Sequence, residues 1–521
     1  MESIQEPSNT EELRVTFYPE LYLQRRIWIL DMLRKEGVTK VLDVGCGEGQ
    51  LLSSLAQPSP WLAPPPPSVL PPAPTSTELA DDSILSPSYN DDEVPNLHMT
   101  EIHGLDISDE DLQFAIEAVK PPKQDDEIPN SPGHRFFHTS MQRWEDLSAK
   151  IWKGGLQTIN NEFIDIECIV STEVIEHLPN DVFPAFSAML LGVYHPKYFL
   201  VTTPSYTFNA RFTAPDAPRS ARKGYPDPTG RTDRIFRHDD HKFEWTREEF
   251  ASWCEDSAKE WGYKVNYTTI GRAQQKDLWG RDAELGGASQ VAIFTRLDDD
   301  SKWREDKGRA AIAALGLVSE PHQLMASFKH EATAAAMKPQ SLEFIARRVK
   351  GKMEEYRETF MRVEEMWFER EISDLCGGWI EMLVRAIEES PDLNLKRDVG
   401  GVRRGQSMWS IEIPGGVGSP VQQWNELASE DVPPEWSPYE GHYDDSDIEG
   451  DVSADTEGDD EESGQEDDSN VGWGTIPDSY LAAAPEDEKK AAWSEWGTWE
   501  ANTLSTTATG WDADESGITT S

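Results

Sequence analysis

The stretch KVLDVGCGEGQLLSSL, residues 40–55, decides the fold. It opens on the apolar run Val41-Leu42-Asp43-Val44, passes through Gly45, Gly47 and Gly49, and continues into Leu51, Leu52 and Leu55. The first part reads as a short buried strand. The leucines read as the start of a helix. Glycines between the two let the backbone turn tightly and approach a ligand closely. A strand that feeds a helix through such a turn is the opening unit of a nucleotide-binding α/β sheet.

Further strands follow at intervals. EIHGLDIS (101–108) ends in the acid Asp106, and EFIDIECIVST (162–172) and KYFLVTTP (197–204) are largely apolar. YKVNYTTI (263–270) and QVAIFTR (290–296) are suited to close the sheet as an antiparallel pair. Before the first strand, residues 22–38 repeat Leu23, Ile27, Leu30 and Leu33 at helical spacing, with Gly37 as a stop. Strands alternating with helices predict a mostly parallel α/β sheet.

Three segments depart from this pattern. Residues 56–100 are rich in proline and are expected to form a flexible, polyproline-like insert within a domain spanning 1–300. Excising most of that insert brings Asp106 to about 20 residues from the glycine turn, where an acid accepts hydrogen bonds from ribose hydroxyls. Residues 301–430 are expected to form a mainly helical extension. Leu342, Ile345, Val349, Met353, Tyr356, Phe360, Val363 and Trp367 are spaced there like one long amphipathic helix. Residues 431–521 hold 26 acidic side chains against Lys489 and Lys490, a charge of −24 and half of the −48 of the chain. Such a tail is too poor in core-forming residues to fold and is expected to be disordered.

The overall acidity excludes nucleic-acid binding by bulk charge, so an RNA or DNA partner requires a local basic patch. Residues 211–237 offer one: Arg211, Arg219, Arg222, Lys223, Arg231, Arg234 and Arg237 face only Asp216, Asp227 and Asp233. The four cysteines are scattered and form no CxxC pair, which fits a reducing compartment. No run approaches the ~18 apolar residues of a membrane span, and the N-terminus is polar. The expectation is a soluble, cytoplasmic protein, with the nucleus as the alternative location.

The chemistry-bearing stretch is STEVIEHLPND (171–181). Glu173, Glu176 and His177 stand at i, i+3 and i+4, which on a helix gives one face, just past the carboxyl end of a strand, where open α/β sheets place their sites. A solvated helix face is the plain alternative. RHDDHKFEW (237–245) adds His238 and His241. Two carboxylates with imidazoles suit Mn²⁺, Co²⁺ or Fe²⁺ at least as well as Mg²⁺. The glycine turn alone fits either a nicotinamide enzyme or a methyltransferase. VLDVGCGEG, with Asp43 two residues before the glycines, resembles motif I of the Rossmann-like, S-adenosylmethionine-dependent methyltransferases.

FYPELYLQRR, LDVGCGEG, GLDIS, STEVIEHL, TTPSYTFN and FRHDDHKFEWTREEF occur in that order between residue 13 and about residue 296. Together they resemble the small-RNA 2′-O-methyltransferases, the HEN family, which modify the 3′-terminal nucleotide of small regulatory RNAs. Ser205 stands where that family usually has Asn. The resemblance implies a class I methyltransferase fold with a mostly parallel seven-stranded sheet. It implies S-adenosylmethionine bound at Asp43, Gly45, Gly47 and Asp106. It also implies catalytic metal ligands Glu173, Glu176, His177 and His241, holding Mg²⁺ or Mn²⁺, with His238 left out.

Chelation of the vicinal 2′ and 3′ hydroxyls would select RNA ends, since internal nucleotides lack the free 3′ hydroxyl and DNA lacks the 2′. Arg25, Arg26, Arg234 and Arg237 are the candidate RNA contacts. Plant members carry further RNA-binding modules upstream, whereas the resemblance here begins at residue 13, so a single-stranded 3′ end delivered by a partner is expected. The competing readings are a metal-assisted O-methyltransferase for small molecules with vicinal hydroxyls, and a scaffold with a relic catalytic fold. Finally, Trp473, Trp496 and Trp511 lie beside glycines in the acidic tail. They resemble the Trp-Gly hooks that dock into Argonaute proteins, and separations of 23 and 15 residues would allow two pockets to be engaged at once.

Overall fold

The computed structural model describes residues 12–71, 96–122, 142–298, 300, 302–317, 320–397 and 409–416. All fall within one compact unit, Met1–Gln423. The acidic tail and its tryptophans lie outside the described residues.

Eight strands form the central sheet: β1 Lys40–Val44, β2 Glu101–Asp106, β3 Leu147–Lys153, β4 Cys168–Thr172, β5 Tyr198–Pro204, β6 Tyr263–Ile270, β7 Ser289–Arg296 and β8 Gln323–His330. Their order is β8-β3-β2-β1-β4-β5-β7-β6. The five strands β3-β2-β1-β4-β5 run parallel, β7 is antiparallel to both β5 and β6, and β8 is antiparallel to β3. This is the class I methyltransferase sheet with an eighth strand added at one edge, rather than the seven strands expected. The sequence of β3, LSAKIWK, alternates buried and half-buried residues because one face is apolar and the other carries Ser, Lys and Trp.

The order reverses between β1 and β4, so their adjacent carboxyl ends open a crevice. Central strand β1 is buried from Val41 to Val44. The helix Leu21–Lys35 packs Trp28, Ile29, Leu30 and Leu33 against this layer. Its buried face is rotated from the expected one, and Ile27 is exposed. The helix Arg247–Trp261 begins in a capping box between Thr246 and Glu249 and ends on Gly262 in the left-handed region.

The extension corrects two expectations. Its helix covers Leu342–Tyr356 only and buries Ile345, Ala346, Val349 and Met353. Arg357 then turns the chain at φ 59°, Phe360–Arg362 becomes a strand paired with Ser410–Glu412, and a short helix Val363–Trp367 follows. The apolar spacing continues past 356 because it serves two elements of one core rather than a single seam. The start of the proline-rich insert is also fixed in place. Leu62 is buried among Trp144, Val349, Trp367 and Leu383. The Leu62 amide donates to the Gly378 carbonyl at 2.8 Å. The indoles of Trp144 and Trp367 both donate to the Pro60 carbonyl, at 3.2 and 3.0 Å. Proline excludes regular pairing there, but it does not prevent a loop from burying apolar side chains.

Candidate functional site

The crevice between β1 and β4 holds the first half of the site. Gly45 has φ +75°, and a Cβ there would lie 2.3 Å from Cγ2 of Val174. The turn is fastened to β2 by the Gly45 and Cys46 amides, which donate to the Leu105 carbonyl at 2.8 and 3.2 Å. Asp106 accepts from the Gly47 and Ser108 amides, each at 2.9 Å. Gly47 leaves open space where a side chain would stand. A cavity of about 310 Å³ opens beside the turn, lined by Arg25, Arg26, Asp43, Gly45, Gly47 and Glu173 among others. Asp43 is 4 % exposed. Burial, aided by the neighbouring Asp106 charge, pushes its carboxyl up to about 7. The lining sets the acids Asp43, Glu48 and Glu173 beside the cations Arg25 and Arg26, which fits a ligand bearing both signs of charge, as S-adenosylmethionine does.

The second half follows β4. Glu173 adopts φ +54°, and Ile175–His177 form a single 3-10 turn, so the two acids and the imidazole do not share an α-helical face. Three of the expected residues nevertheless converge. One ligand atom from each of Glu176, His177 and His241 lies within 4.8 Å of the others. Glu176 is fully buried. Its Oε2 accepts from the Thr203 hydroxyl at 3.0 Å, while its Oε1 has no hydrogen-bond partner. Burial, and then the Glu173 charge, push the Glu176 carboxyl well above the usual range. Burial, and then His241, lower the pKa of His177, which favours the neutral imidazole. An orphaned buried carboxylate oxygen facing two imidazoles is a donor set that a divalent cation would complete.

Glu173 stands outside this group. Its Oε1 accepts from Thr202 at 2.8 Å and its Oε2 from Arg25 at 3.1 Å. Burial raises its pKa and Arg25 opposes the rise. His238 is largely exposed and stacks on His241 at 5.2 Å.

Each ligand candidate has a supporting residue that the sequence did not reveal. The Lys242 amide donates to the Glu176 carbonyl at 2.8 Å, which ties the histidine loop to the 3-10 turn. Asp240 lies 3.1 Å from Nδ1 of His177, and Glu244 lies 2.8 Å from Nδ1 of His241. An acid three residues after His241 was the available signal for Glu244. Ser205 is buried and its hydroxyl has no hydrogen-bond partner.

The candidate RNA arginines divide into two pairs. Arg25 and Arg26 line the cavity beside the glycine turn, where Arg26 donates to Gln50 at 2.6 Å. Arg234 is bidentate on Glu249 at 2.7 and 2.8 Å and lies over the Tyr206 ring. Arg237 pairs with Glu12 and lies over the Phe212 ring at 4.0 Å. Arg211 is buried on Asp277 at 3.1 Å. Much of the expected basic loop is therefore neutralised within the chain, with Arg222 and Lys223 exposed. Trp473, Trp496 and Trp511 fall outside the described residues. Among the described residues, no helix is long and apolar enough to cross a membrane.

No family model matches the chain. It is similar to the small RNA 2′-O-methyltransferase of Arabidopsis thaliana, with 27 % identity over 292 residues, 56 % of this chain and 24 % of that one. It is also similar to that of Schizosaccharomyces pombe, with 26 % identity over 289 residues, 54 % of this chain and 61 % of that one. With that of Drosophila melanogaster it shares 31 % identity over 157 residues, covering 30 % and 36 %. The matched region thus spans between about a quarter and three-fifths of these relatives. Among solved structures, it is similar to the small RNA methyltransferase HEN1, with a TM-score of 0.37 and 23 % identity over 61 % of this chain and 29 % of that one. These relatives bear out the family resemblance read from the motifs.

Proposed function

For this relative of the small RNA 2′-O-methyltransferases, we propose methyl transfer from S-adenosylmethionine to the 2′ oxygen of the 3′-terminal ribose of a small RNA. The observation that supports it is the convergence of Glu176, His177 and His241, with one carboxylate oxygen unpartnered, across β4 from the glycine turn. Asp43 and the Gly45–Gly47 turn would hold the methionine end of the cofactor, and Asp106 its ribose. A divalent ion, Mg²⁺ or Mn²⁺, held by Glu176, His177 and His241 would supply the charge that grips two vicinal hydroxyls and eases loss of the 2′ proton.

The chain's own residues prepare that site. Thr203 orients the Glu176 carboxylate, and burial keeps His177 ready to coordinate or to accept a proton. Glu173 lines the cofactor cavity and is three residues from Glu176, so it can join the ligand set only by exchanging Arg25. Positioning of the two hydroxyls against the methyl donor supplies much of the acceleration. The proposal extends to a single-stranded end delivered by an Argonaute-type partner through Trp473, Trp496 and Trp511, and to a cytoplasmic location.

Methyl transfer from labelled S-adenosylmethionine should be followed with RNA oligomers and with catechols, in Mn²⁺ and in excess EDTA. Metal-dependent labelling of RNA alone is expected. Labelling of catechol but not RNA would support the small-molecule reading, and full RNA labelling in EDTA would remove the metal.

A further inference from the structure

We infer that Glu244 is the positioning residue of this metal group, fixing the tautomer and the orientation of His241. The inference rests on the proposed reading that Glu176, His177 and His241 hold a divalent ion. Glu244 is fully buried and does not itself belong to the converging group. Its Oε1 accepts from the Arg237 backbone amide at 2.7 Å, and its Oε2 from the Asn209 side-chain amide at 2.6 Å. Both of those partners can only donate. The His241 Nδ1 completes the set at 2.8 Å from Oε1.

A buried carboxylate ringed by donors is an acceptor on every side. His241 therefore has its proton on Nδ1, and the Nε2 lone pair is left for the ion. The same carboxylate joins two separate segments. Asn209 ends TTPSYTFN, which begins within β5, and Arg237 opens the histidine loop. Glu244 thus sets where His241 stands relative to the sheet as well as which nitrogen it presents.

The other imidazole is held differently. Asp240, the partner of His177, is mostly exposed and is shared with Lys242 at 2.8 Å. An exposed pair of that kind contributes little. The site therefore has one rigid imidazole and one adaptable one, and the two acids can be told apart by experiment.

Mn²⁺ binding to metal-stripped full-length protein is measured by calorimetry for the wild type, Glu244→Gln and Asp240→Asn. Glu244→Gln is expected to weaken binding by about 10–100-fold, as loss of an outer partner of a ligand histidine typically does. Asp240→Asn is expected to stay within about threefold. S-adenosylmethionine affinity should be unchanged in both. A Glu244→Gln protein that binds Mn²⁺ like the wild type overturns the inference. A wild type that binds no Mn²⁺ overturns the metal reading itself, and the inference with it. If Glu244→Gln does not fold, ¹⁵N-imidazole spectra of the wild type decide. The proton of His241 is expected on Nδ1, and a proton on Nε2 overturns the assignment.

Discussion

Arg25 donates to the Glu173 carboxylate at 3.1 Å, and the pair bridges the helix Leu21–Lys35 and the residue that follows β4. Both residues line the cavity beside the glycine turn, and neither belongs to the converging group of Glu176, His177 and His241. The cation thus occupies a carboxylate that the family resemblance assigns to the metal. Arg25 stabilises a largely buried acid, and a bound divalent ion would offer that acid a second cation.

Removing Arg25 should separate those two states. Arg25→Ala is expected to lower the stability of metal-stripped protein by about 1–3 kcal/mol, the usual cost of leaving a buried hydrogen-bonding group unsatisfied. Saturating Mn²⁺ should restore most of it, because Glu173 can then turn to the ion. Thermal unfolding with and without Mn²⁺ measures both. Equal loss in the two conditions would mean that Glu173 never serves the metal.

Replacement of the converging residues should divide metal from cofactor. Glu176→Ala and His241→Ala are expected to lower methyl transfer by about two orders of magnitude or more. S-adenosylmethionine binding should be nearly intact, since Asp43 and the glycines belong to a different strand and its turn. His238→Ala, at an exposed ring outside the group, is expected to stay within about threefold of wild type. Parallel rate and calorimetric measurements check this, and a severe loss in His238→Ala would redefine the ligand set.

The pH dependence follows from Glu173 and Glu176, whose carboxyls are both raised chiefly by burial. A raised folded-state pKa favours the fold below the unfolded value near 4.5, and that contribution is lost as pH rises through the folded value. Metal-stripped protein should therefore lose stability as pH climbs above the ordinary glutamate range. Mn²⁺ affinity should move the opposite way and tighten with pH, by up to about tenfold per unit for each proton displaced. Calorimetry between about pH 5 and about pH 8 tests the sign. Affinity that falls with rising pH would exclude these carboxylates as ligands.

Asp43 should show a conflict between stability and binding. Its carboxyl is raised from 3.8 to about 7 by burial and by Asp106, so its contribution to stability is lost as pH rises across that interval. Asp43→Asn is expected to stabilise the ligand-free protein near pH 8 by roughly 2–4 kcal/mol at most and to weaken S-adenosylmethionine binding. Denaturant unfolding at two pH values checks the first part. A destabilised Asp43→Asn protein at the higher pH would contradict it.

The anchoring of the insert predicts a packing cost. Leu62→Ala removes a buried side chain from the cluster it forms with Trp144, Val349, Trp367 and Leu383 and should cost about 2–5 kcal/mol. The loss should appear in the unfolding of the extension, reported by fluorescence of Trp144 and Trp367. No change would place Leu62 outside that core in solution.

The legible parts of the chain were those in which local pattern and tertiary role coincide. β1, its glycine turn and the closing β6–β7 pair follow from apolar runs and glycines that act where they stand. β3 escaped because Lys150 and Lys153 interrupt LSAKIWK, although only one of its faces is buried. STEVIEH supplies Glu176 and His177 to the converging group, but with a local geometry other than the expected helix, since the left-handed Glu173 breaks any helix before it starts. The partner that captures Glu173 lies 148 residues away. Glu244 looks like one more acid in an acidic chain until Asn209 and the Arg237 amide are seen to point at it. Composition alone made Trp61 and Leu62 part of a loose insert, because the core they pack against is built mostly from residues beyond 340.

The most direct measurement uses one RNA oligomer in four forms: a free terminal 2′,3′-diol, 2′-deoxy, 3′-deoxy and 3′-phosphate. Each is incubated with the protein, S-adenosylmethionine and Mn²⁺, and methylation is read by mass spectrometry with periodate resistance as the second readout. Only the diol should be methylated, at the 2′ oxygen of its last nucleotide. Methylation of the 3′-phosphate form at a rate like that of the diol would contradict recognition of the terminal ribose.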